Sequence, residues 1–202
     1  MTRAGAGRIG RRVAAGGLLG LLALAVLLLV AGPRLLERSG AEPPVAIGGP
    51  FTLEDGGGAT VSDTAFRGRW MLVYFGYTHC PDACPTALND MANTLDLLGP
   101  QRRKVAPLFI TVDPERDTPA VMRDYAQAFG AEIVPLTGTP AQVEAAEKEY
   151  RVYAAKHPNK SGGYDMDHSS IIYLMDPAGK FVAIFGTGTS PKDMADRMRK
   201  LM

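Results

Sequence analysis

Residues 76–88 of this 202-residue chain read GYTHCPDACPTAL and contain its only two cysteines, Cys80 and Cys84. An apolar run over 70–75 precedes them and a helical pattern over 86–98 follows, so both thiols are predicted where a buried strand passes into a helix. A thiolate at a helix N-terminus is stabilised by free backbone N–H groups and by the helix dipole, which favours nucleophilic or metal-binding chemistry. We therefore expect the function of this protein at this junction.

The spacing of the two cysteines restricts the kinds of reaction or metal binding that they can support. Three residues separate them, whereas thioredoxin-type redox motifs have two. If the first helical turn forms around Cys80, positions i and i+4 share one face with Cβ atoms about 5–6 Å apart, which suits a disulfide or a shared metal ion. Pro85 fits that turn because its missing N–H costs nothing there, so the helix should begin near 81–85. A purely structural disulfide is the alternative, but so short a loop would stabilise the fold little.

The N-terminal part of the chain predicts a membrane anchor. A basic arm over 1–12 carries four arginines and precedes an uncharged apolar stretch over 13–31, which is long enough to cross a bilayer as a helix. The basic flank should remain in the cytoplasm. A cleaved signal peptide is the competing interpretation; it is disfavoured because the apolar run exceeds a signal h-region and no good cleavage site follows.

A linker over 32–43, rich in Pro and Gly, should connect the anchor to one globular domain over 44–202. That length is enough to bury a sizeable core. The formal net charge of the whole chain is +1, and the basic arm supplies four positive charges, so the domain itself is mildly acidic. Nucleic acid is therefore not expected as a partner.

The pattern of apolar runs and turn residues predicts the order βαβ, helices, ββα. The elements are a hairpin over 51–60, strands over 70–75 and 105–112, helices over 86–98, 119–129 and 141–154, strands over 168–175 and 180–185, and a closing helix over 191–202. This is an α/β, thioredoxin-like plan, with a central mixed sheet flanked by helices.

One position departs from thioredoxins, which have a cis-proline just before the strand that faces their cysteines. This chain has Asp167-His168-Ser169 there. His168, following a glycine-rich loop over 156–164, would then face Cys80 and Cys84. Two thiolates and one imidazole form a soft, incomplete ligand set: thiolates select Cu(I), while the imidazole leaves Cu(II) possible.

The chain resembles the Sco/SenC family of copper chaperones over about residues 44–202. The resemblance rests on three sequence motifs that occur in the family's order, at residues 76–85, 111–119 and 167–170. The resemblance implies a membrane-anchored thioredoxin-like domain that binds a copper ion and helps to assemble the binuclear copper centre of cytochrome c oxidase subunit II. It matches Cys80, Cys84 and His168 to the family's copper ligands. Asp113 matches a motif aspartate near the site, and Asp167 is expected beside it as well. Other copper chaperones and thiol reductants are further expected partners.

The family also occurs on the mitochondrial inner membrane, facing the intermembrane space. Only about a dozen residues precede the predicted anchor, which is short for a transit peptide followed by an anchor. A bacterial inner membrane, with the domain in the periplasm, is therefore the preferred location.

Other functions use the same residues. A metallochaperone rather than an enzyme is the preferred interpretation, and a thiol-disulfide oxidoreductase that reduces the oxidase cysteines is the main alternative. A zinc site would need a fourth ligand that the sequence does not identify. The sequence around Cys80 matches the pattern of a thiol peroxidase only loosely. Three further residues are weaker ligand candidates: His79, His157 and Met166. A histidine beside Cys80 in a tight loop often points away from the metal, and a histidine in the loop over 156–164 is more often solvated. A methionine more often packs in the core than binds a metal.

Overall fold

The structure is a computed structural model that describes residues 46–130, 132–160 and 162–202. Within those ranges, no helix is both long enough and apolar enough to cross a membrane. The predicted basic arm, anchor and linker, over 1–43, lie outside the described residues.

The strand that leads to the cysteines lies inside a seven-stranded sheet. This strand, β3 (Trp70–Gly76), is apolar along almost its whole length, because both faces of the sheet around it are covered. The other strands of this sheet are β1 (Thr52–Asp55), β2 (Thr60–Ser62), β4 (Val105–Thr111), β5 (Val134–Thr137), β8 (Ile171–Met175) and β9 (Phe181–Gly186). The order of the strands across the sheet is β2-β1-β5-β4-β3-β8-β9.

The sheet is mixed, as predicted. Strands β3, β4 and β5 run parallel, whereas β8 pairs antiparallel with β3 and β1 pairs antiparallel with β5. The carboxyl ends of β3 and β4 therefore meet at one edge, where Gly76 pairs with Thr111. The segments that follow these two strands, the cysteine motif and the polar stretch after 111, are thereby brought together.

In the part of the chain that the structure describes, four α-helices flank the sheet: α1 (Ala83–Leu98), α2 (Pro119–Gln127), α3 (Pro140–Tyr150) and α4 (Pro191–Leu201). The last three begin with a hydroxyl N-cap and a proline at N1, with the N-caps at Thr118, Thr139 and Ser190. Helix α1 packs against α4.

Strand β5 was not predicted from the sequence, and two further features differ from the sequence-based expectation. Helix α3 ends at Tyr150 rather than 154, because Arg151 adopts the left-handed conformation with a φ of 56°. The predicted loop is instead a separate hairpin of β6 (Ala154–Pro158) and β7 (Tyr164–His168), which pair antiparallel. These strands are largely polar and exposed, so they lack the apolar alternation that predicts a strand.

Helix α3 carries a carboxylate whose titration should influence stability. Burial, reinforced by the nearby Glu144 charge, raises the pKa of Glu147 to about 7. Because the folded-state pKa lies above the unfolded-state value, folding is favoured while Glu147 is protonated, and this contribution is lost as the pH rises through 7.

We expect Glu147→Gln to raise the free energy of unfolding by about 1–2 kcal/mol at pH 8, after allowance for solvent screening, and to change it little at pH 4. Urea denaturation at the two pH values measures the difference. Glu149→Gln, on the same helix, is the control. An equal stabilisation of the Glu147 variant at both pH values would contradict the assignment.

Candidate metal centre

The two cysteines lie on either side of the start of α1. Cys80 is half-buried in the loop after β3, and Cys84 is buried in the first turn of the helix. The backbone N–H of Cys84 donates to the Cys80 sulfur at 3.3 Å, so that sulfur caps a free donor of the helix N-terminus. The predicted strand-to-helix junction is confirmed.

The close approach of strand β3 to the buried thiol depends on a glycine. A Cβ atom at Gly76 would lie 2.7 Å from the Cys84 sulfur and 2.9 Å from a ring carbon of Tyr74. Any side chain at position 76 would therefore displace Cys84 or Tyr74. The Tyr74 hydroxyl donates to the Cys84 sulfur at 3.6 Å, so the same close packing also provides the buried thiol with a polar neighbour.

His168, the last residue of β7, completes the cluster. Its Nε2 atom lies 3.5 Å from the Cys84 sulfur, and the ligand atoms of Cys80, Cys84 and His168 all lie within 4.8 Å of one another. The imidazole Nδ1 faces the carbonyl oxygen of Ser169 at 3.3 Å. A proton on Nδ1 that is donated to this carbonyl leaves the Nε2 lone pair directed at the sulfurs, as metal binding requires.

Burial determines the protonation states of His168 and Cys84. It lowers the pKa of His168, so the imidazole is neutral and able to act as a ligand near pH 7. It raises the pKa of Cys84 to about 12, with the adjacent Cys80 acting in the same direction. The expectation that the helix N-terminus would lower the pKa of both thiols is therefore wrong for Cys84, because burial outweighs the dipole. A metal ion that binds here must displace the Cys84 proton.

This cluster is the only group of three or more His, Cys, Asp or Glu ligands found in the described part of the chain. It provides two sulfurs and one nitrogen, without a fourth residue of these types. A structural zinc site has four protein ligands. The geometry therefore favours a metal held by an incomplete soft ligand set.

The two aspartates predicted beside the site lie in different surroundings. Asp113 is fully buried, and its carboxylate accepts hydrogen bonds from the Tyr164 hydroxyl at 2.8 Å and from the Arg116 guanidinium. Asp167 is exposed on β7, and its carboxylate lies 3.0 Å from Nε2 of His157. Asp113 is thus placed to order the hairpin that carries His168.

The weaker ligand candidates have other contacts. His79 is exposed and its Nδ1 lies 3.1 Å from the hydroxyl of Thr78. Met166 is buried in the hydrophobic core.

Sequence reasoning did not identify the role of Asp117. Its buried carboxylate accepts three hydrogen bonds: from the Thr78 backbone N–H at 3.0 Å, from the Thr78 hydroxyl at 2.6 Å and from the Thr111 hydroxyl at 2.7 Å. Burial raises its pKa, which these hydrogen bonds oppose. Asp117 therefore ties the cysteine loop to the end of β4. The sequence feature that could have indicated this role is a second aspartate, after Asp113, in the polar stretch that follows the buried strand β4.

The fold and the site together define a thioredoxin-like domain with a Cys-Cys-His group at its strand-to-helix junction. The sequence model of the SCO1/SenC family matches residues 39–202. The chain belongs to this family.

Individual relatives agree with that assignment. The SCO2-like protein of Rickettsia prowazekii is 36% identical over 184 residues, which are 89% of this chain and 90% of that protein. The mitochondrial SCO2 homolog of Bos taurus is 40% identical and covers 84% of this chain and 65% of that protein. The structure of Bradyrhizobium japonicum ScoI with copper bound is 45% identical, with a TM-score of 0.73 over 78% of this chain and 100% of that one.

Proposed function

We propose that this protein is a copper chaperone that binds Cu(I) and Cu(II) through the sulfurs of Cys80 and Cys84 and through Nε2 of His168. The observation that carries the proposal is the position of these three atoms within 4.8 Å of one another. Sulfur and imidazole ligands suit copper, and the incomplete set leaves a side open for a ligand from a partner. The similarity to a copper-bound ScoI protein supports the same metal.

The receiving protein that we propose is cytochrome c oxidase, with the binuclear copper centre of its subunit II as the destination. A receiving site with more thiolates would draw copper from this cluster through intermediates in which the two proteins share ligands. Oxidation of Cys80 and Cys84 to a disulfide, which passes two electrons to an external oxidant and releases the thiol protons, would abolish binding. Copper loading therefore requires reduced thiols, which makes thiol reductants and other copper chaperones the expected partners upstream.

The proposed location is a bacterial inner membrane, with the copper-binding domain in the periplasm. The apolar stretch over 13–31 and its basic flank support this proposal. The similarity to a mitochondrial relative keeps the mitochondrial inner membrane as the alternative.

A thiol-disulfide oxidoreductase is the second candidate, because one thiol is half-buried and the other is buried directly behind it. An accessible attacking thiol with a protected resolving thiol suits disulfide exchange. The imidazole distinguishes the two functions, since copper binding uses it and disulfide exchange does not.

Replacing His168 by Ala should weaken Cu(II) binding by about 100-fold or more and Cu(I) binding by less than about fivefold, because the two thiolates suffice for Cu(I) but leave Cu(II) short of a nitrogen ligand. Chelator competition measures both affinities, and the thiolate-to-Cu(II) absorption band reports the ligand set. The control is His157→Ala, at an exposed position on the same hairpin. Equal losses for the two oxidation states would argue against His168 as a Cu(II) ligand.

A further inference from the structure

The residue that supplies the only nitrogen of the cluster is carried by a structure outside the main sheet. Among the residues that the structure describes, strands β6 and β7 pair only with each other, so no backbone ladder there fixes the hairpin to β3 or to α1. Cys80 and Cys84, by contrast, belong to a segment that is continuous with β3 and α1. His168 is joined to β8 of the main sheet through Ser169 and Ser170, so its position relative to the sulfurs depends on that short connection and on the side chains that hold the hairpin.

The segment between β4 and α2 supplies such contacts at the opposite end of β7 from His168. The Tyr164 hydroxyl donates to Oδ1 of Asp113 at 2.8 Å, and the Arg116 guanidinium donates to Oδ2 of the same carboxylate. A terminal nitrogen of Arg116 also donates to the Tyr164 carbonyl oxygen at 3.0 Å. The buried carboxylate thus binds a tyrosine of the hairpin and an arginine of its own loop.

Aromatic contacts extend this cluster towards the imidazole. The Arg116 guanidinium lies 3.9 Å from the centre of the Tyr164 ring and 5.8 Å from the centre of the Tyr77 ring. The Tyr77 ring in turn meets the His168 imidazole edge-on, with 5.8 Å between the ring centres. Arg116 therefore contacts both the first residue of β7 and an aromatic neighbour of the histidine at its end.

A weaker contact also holds the β6–β7 hairpin against the segment between β4 and α2. Lys156 of β6 forms an ion pair with Glu115, and its ammonium lies 4.8 Å from the Tyr164 ring. Both partners of this pair are largely exposed, so it should contribute less than the buried contacts. Met166 of β7 is buried in the hydrophobic core, and the main polar restraint on the hairpin is the planar guanidinium of Arg116, which binds the Asp113 carboxylate and stacks on the Tyr164 ring.

We propose that Arg116, with Tyr164 and Asp113, is a positioning device that holds His168 over the two sulfurs and thereby sets the affinity for Cu(II) relative to Cu(I). This inference rests on the proposed function. Loosening the hairpin withdraws the imidazole but leaves both thiols in place. Cu(II) binding should weaken while Cu(I) binding persists.

The test compares Tyr164→Phe and Arg116→Met with the wild type in the full-length protein with reduced thiols. Tyr164→Phe removes only the hydroxyl that donates to Asp113 and keeps the ring beneath the guanidinium. Arg116→Met leaves Asp113 with one donor fewer and removes the stacking. We expect Cu(II) affinity to fall about tenfold in the first variant and about 100-fold in the second, with Cu(I) affinity changed by less than threefold.

The probes are Cu(II) and Cu(I) ions under chelator competition, together with the thiolate-to-Cu(II) absorption band, which should shift as the imidazole is lost. Arg102→Met is the matched control, because Arg102 also bridges two carboxylates, those of Asp96 and Glu132, but away from the cluster. Tyr164→Phe keeps the test informative if Arg116→Met does not fold.

The outcomes separate this inference from the function on which it rests. If the wild type and His168→Ala behave as predicted but the folded Tyr164 and Arg116 variants match the wild type, only the positioning role is overturned. Equal losses of Cu(I) and Cu(II) affinity in these variants would also overturn it, since a purely structural defect affects both. A wild-type protein without stoichiometric copper would overturn the proposed function itself.

Discussion

Replacing either cysteine by serine should reduce Cu(I) affinity by more than about 1,000-fold, which corresponds to about 4 kcal/mol. A serine hydroxyl stays protonated near neutral pH and is a hard oxygen ligand, whereas Cu(I) selects thiolates. With Cys80→Ser or Cys84→Ser, one sulfur and the imidazole of His168 remain, which is too few soft ligands for tight binding. The ratio of copper to protein after gel filtration, together with chelator competition, measures the loss.

The matched control for the cysteine variants is His79→Ala, which alters the exposed neighbour of Cys80 without removing any of the three proposed ligands. It should retain one copper per chain. A cysteine variant that still holds one copper tightly would refute the proposed ligand set. A wild-type protein that reduces disulfides but binds no stoichiometric copper would instead favour the oxidoreductase function.

Replacing Asp117 by Ala should lower the free energy of unfolding by about 3–4 kcal/mol. The substitution deprives three donors of their acceptor: the Thr78 backbone N–H, the Thr78 hydroxyl and the Thr111 hydroxyl. The Thr111 contact is buried and the two Thr78 contacts are partly buried, so water replaces the lost acceptor poorly. Urea denaturation of the metal-free protein measures the change.

Asp176→Ala is the control for this second prediction, because the Asp176 carboxylate also accepts backbone hydrogen bonds, from Ala178 at 2.9 Å and from Lys180 at 2.8 Å, but in an exposed turn. Water can replace those bonds, so a loss of about 1 kcal/mol is expected. If Asp117→Ala cost no more than Asp176→Ala, Asp117 would not be the anchor of the cysteine loop. Weaker copper binding in Asp117→Ala should accompany the lower stability, since Thr78 lies two residues before Cys80.

The sequence alone predicted the parts of this protein that depend on local pattern. The apolar run of β3, the proline and hydroxyl residues at the helix starts and the glycine-containing turns indicated most elements of the main sheet and its helices, because such signals act within a few residues. The cysteine motif at the start of α1 was predicted in the same way. The resemblance on three segments grouped Cys80, Cys84 and His168 as one set, and the structure places their ligand atoms within 4.8 Å of one another.

The short strands were predicted less well. Strand β5 has four residues and includes Pro135, so it lacks a strong strand signal. The β6–β7 hairpin is largely polar and exposed, and its pairing is a property of two segments together rather than of either alone.

Only the tertiary structure determined which contacts hold the site in place and how burial shifts the pKa of its groups. The burial that raises the pKa of Cys84 comes from the surrounding core, and it outweighs the stabilisation of a thiolate by the helix N-terminus. The hydrogen bonds of Asp117 to Thr78 and of Asp113 to Tyr164 join residues 39 and 51 positions apart. No local pattern specifies such partners, because they become neighbours only when β3, β4 and the hairpin end at the same side of the domain.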